Sequence, residues 1–288
     1  MSMFASQLKP EYLEAIKNFR LIDDTFFNIC FDGDTNSMEL LLHIFFQRDD
    51  IKVLEVVTQR TAQNLYGRGV RFDVLAIDSN GKIYNVEVQR AKEGANPKRA
   101  RFNHCLIDSR EINKGTEYQN FPEVWVIFIT EKDIFGAKLP MYHIERTITE
   151  LNHPFEDAEH TIYVNGEYKG SDAIGLLMHD FFCTDPANMH YPQLAKRADF
   201  FKHKPKGMKT MCEIMEKIQE VGRAEGRAEG RAEGSLMMLT KLVLSNLKKN
   251  KPLEEIAESL DITTKEVIRI GKENGLTVSG KTSGVINS

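Results

Sequence analysis

The residues with the clearest capacity for chemistry are Asp73 and the trio Glu87-Val88-Gln89. Thirteen residues separate Asp73 from Glu87, with Ser79-Asn80-Gly81 at the midpoint. Asn and Gly accept positive φ, so that tripeptide marks a tight turn and the flanking segments pair as a hairpin. Asp73 then falls opposite Glu87 or Val88 at the hairpin's open end. Alternation along the strand puts Glu87 and Gln89 on one face and Val86 and Val88 on the other. Two carboxylates and a carboxamide therefore converge on one small volume. Close carboxylates repel unless a proton or cation lies between them. Their oxygens suit Mg²⁺ or Mn²⁺, which bind few carboxylates and keep waters for substrate phosphates. Such an ion polarises a phosphate and lowers the pKa of an attacking water. The competing reading is two strand-end carboxylates, each solvated on its own.

The elements that must hold these residues are legible in the hydrophobic pattern. Residues 36–46 form a helix with Met38, Leu41, Leu42 and Phe45 on its apolar face. Segments 51–58, 69–78 and 82–89 are strands rich in β-branched residues. A helix over 97–112 places Phe102, Cys105, Leu106 and Ser109 on one side, and PEVWVIFIT (122–130) is a strand buried on both faces. The order α-β-β-β-α-β predicts an α/β core around a mixed sheet. After residue 150 the pattern turns mainly helical, over about 171–182, 187–202, 207–221, 236–249, 252–260 and 264–274.

These blocks resemble the PD-(D/E)XK nuclease superfamily, and within it the family of recombination-promoting nucleases and transposases. The resemblance runs through RFDVLAIDSNGKIYNVEVQR (71–90), RARFNHCLIDSREINKGTEYQNFPEVWVIFIT (99–130), DAIGLLMHDFF (172–182) and the GRAEG repeat after KTMCEIMEKI (209–218). It implies a restriction-endonuclease-like αβββαβ core and a Mg-dependent (or Mn-dependent) DNA endonuclease linked to recombination, mobile elements or defence. Asp73 matches the first motif acid, with Phe72 where the superfamily name has Pro. Glu87 matches the second acid, and the carbonyl of Val88 is implied as a further metal ligand. Gln89 stands where many superfamily members carry a catalytic Lys. A carboxamide holds no charge and cannot act as a base, but it can orient water or donate to a phosphate oxygen. Glu39, in the first helix, is the candidate third acid, or else a surface glutamate favoured by the helix dipole. The departure at Gln89 supports the alternative of a non-catalytic DNA-binding or assembly protein that keeps the fold.

Charge is balanced overall but not locally. The 38 basic and 42 acidic residues give a formal net charge of -4, which excludes a uniformly basic nucleic-acid binder. Yet Arg90, Lys92, Lys98, Arg99 and Arg101 follow the hairpin with one acid, Glu93, among them. Such a run suits phosphate contacts. A second cluster comprises Lys196, Arg197, Lys202, Lys204, Lys206 and Lys209, set against Asp199. The histidines show no ligand spacing, and the four cysteines form no C-x-x-C pair. No segment has the length and apolarity of a membrane helix, and no signal peptide is visible. A cytoplasmic protein is expected.

The organisation expected is a nuclease-like core over 1–150, a helical extension over 151–221, the GRAE repeat over 222–234 and a three-helix tail over 235–288. The period-four repeat stacks Arg, Glu, Ala and Gly ridges if helical, and its glycines cost about 1 kcal/mol each relative to Ala. It is either a rod that joins chains into a homo-oligomer or a pliable hinge. In the tail, Thr263-x-x-Glu266 is a capping box, with Ile262 and Val267 as its staple. The short turn before it suits a helix-turn-helix module, in which Thr264, Lys265, Arg269 and Lys272 would face DNA, or a plain packing unit.

Overall fold

The computed structural model describes residues 9–276 except 60, 63–69 and 113–114. The Gly/Ser-rich end, 277–288, expected to fray, lies outside the described residues, as does the first residue of the expected strand 69–78. The chain divides into two units, Met1–Glu213 and Ile214–Ser288.

The first unit begins with helices α1 (Pro10–Asn18), α2 (Asp24–Phe31) and α3 (Thr35–Phe46). Asp34 starts α3 by accepting the Ser37 N–H, and Gln47, in the left-handed region at φ 51, stops it. The expected apolar face of Met38, Leu41, Leu42 and Phe45 is buried. Strands β1 (Val53–Thr58), β2 (Val74–Asp78) and β3 (Ile83–Gln89) follow, then α4 (Pro97–Glu111) and β4 (Val124–Thr130). Two more strands, β5 (Met141–Ile144) and β6 (Glu159–Asn165), complete a six-stranded sheet of order β1-β2-β3-β4-β6-β5. β1, β2 and β3 are antiparallel; β4 runs parallel to β3, β6 parallel to β4, and β5 antiparallel to β6. This is the mixed sheet of a restriction-endonuclease-like fold. Helices α5 (Ala173–Phe182) and α6 (Pro192–His203) follow it.

Four sequence expectations need correction. The sheet does not end near residue 150: β6 lies between β4 and β5, and its HTIYV run carries the β-branched signal that the helical reading of this half passed over. The segment 69–78 is not one strand. Val70–Arg71 pairs with Thr61–Ala62, and β2 starts only at Val74, because Phe72 turns wholly into the core under α4. α4 also faces the sheet differently: Ala100, Asn103, His104 and Ile107 are buried, whereas Cys105 and Ser109 are exposed. Two buried polar side chains on that face conceal its period. Finally, the separate helices expected over 207–221 and 236–249 are one continuous helix through the repeat, α7 (Pro205–Lys248).

The hairpin turn is held by Asp78, whose Oδ1 accepts the N–H groups of Asn80 (2.8 Å) and Lys82 (2.9 Å), while Gly81 takes φ 77. Register then fixes the site: Val74 pairs Val86, so the next position down carries Asp73 against Glu87.

In the second unit, the end of α7 packs with α8 (Leu253–Leu260) and α9 (Thr264–Glu273) around Val243, Leu247, Ile256, Val267 and Ile270. The Thr263–Glu266 capping box is formed in both directions, while Pro252 sits at the N-cap of α8 rather than inside it. No helix among the described residues is long and apolar enough to cross a membrane.

Candidate functional site

At the open end of the β2–β3 hairpin, side chains replace the last rungs of the backbone ladder. The Asp73 N–H donates to Glu87 Oε1 at 3.3 Å, and the Val88 N–H donates to Asp73 Oδ2 at 3.0 Å. The Asp73 carbonyl accepts from Gln59 N–H at 2.9 Å. Val88's carbonyl leaves the strand on the same side as its N–H, beyond the first residue of β2.

Glu87 is wholly buried. Asn85, two residues earlier on the same face, donates to its Oε1 at 3.0 Å, and Asn103 of α4 donates to Asn85 Oδ1 at 2.9 Å. Arg99, in the first turn of α4, donates to Glu87 Oε2 at 2.5 Å and to the Gly94 carbonyl at 3.1 Å. A β3 carboxylate is thus oriented by one helix through an amide relay and a guanidinium.

The electrostatics are those of crowded anions. Burial, then the charges of Glu87 and Asp24, push the Asp73 carboxyl up to about 9, against the pull of the Val88 N–H. Burial also raises Glu87, opposed chiefly by Arg99 and then by Asn85. Arg99, Asn85 and the Asp73 N–H oppose the rise at Glu87, whereas at Asp73 the Val88 N–H opposes it.

A cleft of about 430 Å³ exposes this arrangement, lined by Asp24, Arg71, Asp73, Val88, Gln89, Arg90 and Arg99. An adjoining cleft of about 720 Å³ shares Arg71 and Arg99 and continues past Asn96, Lys98 and Arg101. Of the expected phosphate-contact residues, Arg90, Lys92, Lys98 and Arg101 are exposed and Arg99 is half-buried. Strand alternation assigns Arg90 to the far face, but β3 ends at Gln89 and Arg90 lines the cleft, paired with Glu131 (3.0 Å) and Asp23 (3.2 Å). Gln89 packs over Gly94, where an added Cβ would lie 2.0 Å from its Oε1.

Glu39 is not brought to this cleft. Its Oε1 accepts the Val53 N–H at 2.9 Å, tying α3 to β1, and it lines a different cavity with His43 and Lys196. The third acid beside Asp73 is Asp24, at the start of α2, which lines the same cleft and helps to push the Asp73 carboxyl up. Nothing in the local pattern of Asp23-Asp24 distinguishes it from a helix-start pair, so only the packing of α2 identifies it. Arg71, Asn85 and Asn103 were likewise missed. Asn85 carried a signal, since alternation places it beside Glu87.

The second basic cluster separates by burial. Lys202, 2% exposed, donates to the carbonyls of Lys17, Phe19 and Thr184, and Arg197 bonds the carbonyls of Ile29, Cys30 and Asp32. Both bind the ends of helices rather than facing outward.

No curated protein and no solved structure matches the chain at a significant level. The sequence profile of the PD-(D/E)XK nuclease family transposases matches residues 24–166, a span from Asp24 through the last strand of the sheet that contains every residue of the carboxylate cleft except Ile22. Through that region the chain belongs to the PD-(D/E)XK nuclease family transposases.

Proposed function

We propose that the protein is a metal-dependent DNA endonuclease acting in recombination, mobile elements or defence. The observation that carries this reading is the pair of buried Glu87 and half-buried Asp73, with Asp24 beside it, opening into a cleft rimmed by arginines. Three oxygen-bearing side chains and a backbone carbonyl are hard donors, and a cation among them would offset the burial and the neighbouring anions that push the Asp73 carboxyl up to about 9. Asp73, Glu87 and the Val88 carbonyl would hold Mg²⁺ or Mn²⁺, with Asp24 as an additional carboxylate. When bound, the ion would polarise the scissile phosphate and acidify the attacking water.

The protein's own groups do the remaining work. Gln89 aligns the water through its carboxamide, which Gly94 gives room to lie in the cleft. Arg99 supplies the positive charge that a Lys at position 89 would bring, delivered from α4 instead of β3. Arg71, Lys92, Lys98 and Arg101 hold the DNA backbone, and Arg90 joins them once it releases Glu131. The chain acts in the cytoplasm and associates with further copies through α7 around the repeat.

The test is nicking of supercoiled plasmid with Mg²⁺, beside Asp73→Ala and Glu87→Ala. We expect both variants to lose at least a hundredfold in rate while retaining DNA binding. Equal cutting by wild type and both variants removes the site assignment. Absence of cutting with salt-sensitive binding intact favours the second reading, a non-catalytic DNA-binding or assembly protein, for which Gln89 in the lysine position is the supporting observation.

A further inference from the structure

The histidines have no ligand spacing in the sequence, yet the fold brings two of them to one carboxylate. His179 and Asp180 occupy the last turn of α5, and His190 lies in the connection to α6, eleven residues beyond His179. One possible ligand atom from each of the three lies within 4.8 Å of the others. Asp180 is wholly buried and pinned by the connection it serves: Oδ1 accepts the His190 N–H at 2.7 Å and Oδ2 the Tyr191 N–H at 2.8 Å. Each carboxylate oxygen keeps a lone pair free. His179 Nδ1 lies 3.3 Å from Asp180 Oδ1, and the two imidazole rings meet edge to face at 4.6 Å. Ligand atoms about 2.0 Å from a tetrahedral Zn²⁺ are about 3.3 Å apart, the separation already present between His179 and Asp180. Both imidazoles are exposed, so an ion held there would keep water on its open side.

We propose that His179, Asp180 and His190 form a binding site for a divalent transition-metal ion of the Zn²⁺ class. Imidazole nitrogens select such ions over Mg²⁺, whereas the all-oxygen set at Asp73 prefers Mg²⁺. The two sites therefore take different ions. The backbone bonds to Asp180 act as the supporting shell, fixing the carboxylate before the ion arrives. A bound ion would fasten the end of α5 to the 183–191 connection, stabilising the start of α6.

The experiment is Zn²⁺ titration of the tag-free full chain, by calorimetry, in excess Mg²⁺. We expect one Zn²⁺ per chain, binding unchanged in Asp73→Ala, at least tenfold weaker in His179→Ala or His190→Ala, and lost in the double variant. Co²⁺ should give visible absorption bands in wild type that vanish in His190→Ala. Because both histidines are on the surface, the variants should match wild type in metal-free thermal melts. A double variant that binds Zn²⁺ as wild type does, a wild type that binds none, or Zn²⁺ lost in Asp73→Ala instead, overturns the proposal. In those cases Asp180 is a cap for the connection and the histidines are surface side chains. Since the readout is Zn²⁺ binding, its failure leaves the nuclease reading untouched.

Discussion

Arg99 Nη2 meets Glu87 Oε2 at 2.5 Å, and the carboxylate has no solvent exposure while the guanidinium side chain keeps about a third of its own (32%). This pair joins α4 to β3 at the point where the hairpin opens. Arg99→Ala leaves a buried carboxylate without its cation, and we expect a loss of about 2 kcal/mol in urea unfolding, less than for a fully buried pair because Arg99 reaches water. Arg99→Ala combined with Glu87→Gln should recover most of that loss. A wild-type midpoint for Arg99→Ala would show that the pair contributes nothing to folding.

The exposed cations and the buried one should separate in binding and stability. Lys98→Ala and Arg101→Ala should each weaken DNA binding and lower the slope of log K against log salt by about 0.9, with stability unchanged. Lys202→Ala removes the donor for three carbonyls and should destabilise by about 3 kcal/mol while leaving that slope alone. A changed slope for Lys202→Ala would contradict its placement.

His104 is 2% exposed, its Nε2 lies 3.1 Å from Thr161 Oγ1, and burial lowers its pKa to about 4. Below its unfolded value of about 6.5, the unfolded chain takes up a proton that the native chain refuses. The stability from this group is thus complete above pH 6.5 and falls as pH drops toward 4. Between pH 7 and pH 4.5 the loss should be about 2 kcal/mol. His104→Gln should flatten the dependence, and parallel stability curves for the two proteins would refute the assignment.

An added Cβ would meet nothing within 4 Å at Gly222, Gly226, Gly230 or Gly234. Gly226→Ala and Gly230→Ala should therefore stabilise the helix by about 1 kcal/mol each. If copies of the chain associate along that ridge, the same variants should reduce the oligomeric mass in light scattering. Unchanged mass for these variants and for a deletion of 222–234 would remove the association.

The hairpin was legible because a local rule specified it. A turn signal at its centre and period-two alternation suffice to set Asp73 against Glu87, whatever else the chain does. The capping box of α9 was legible for the same reason, as both partners lie within one turn. The face of α4 was not: Asn103 and His104 read as surface residues until Asn85 and Thr161 are found beneath them. The position of Arg99 had the same difficulty, since its charge marked it for phosphate while its geometry gives it to Glu87.

By itself, then, the sequence determined the strand pair, the acids it carries and the family. Each rests on contacts or periods spanning a few residues, or on motifs that can be matched in line. Only the tertiary structure decided that Asp24, not Glu39, adjoins Asp73, that β6 lies inside the sheet, and that Lys202 is a buried clamp. Those choices depend on which elements pack together, and packing is set by the total burial of apolar surface rather than by any single residue.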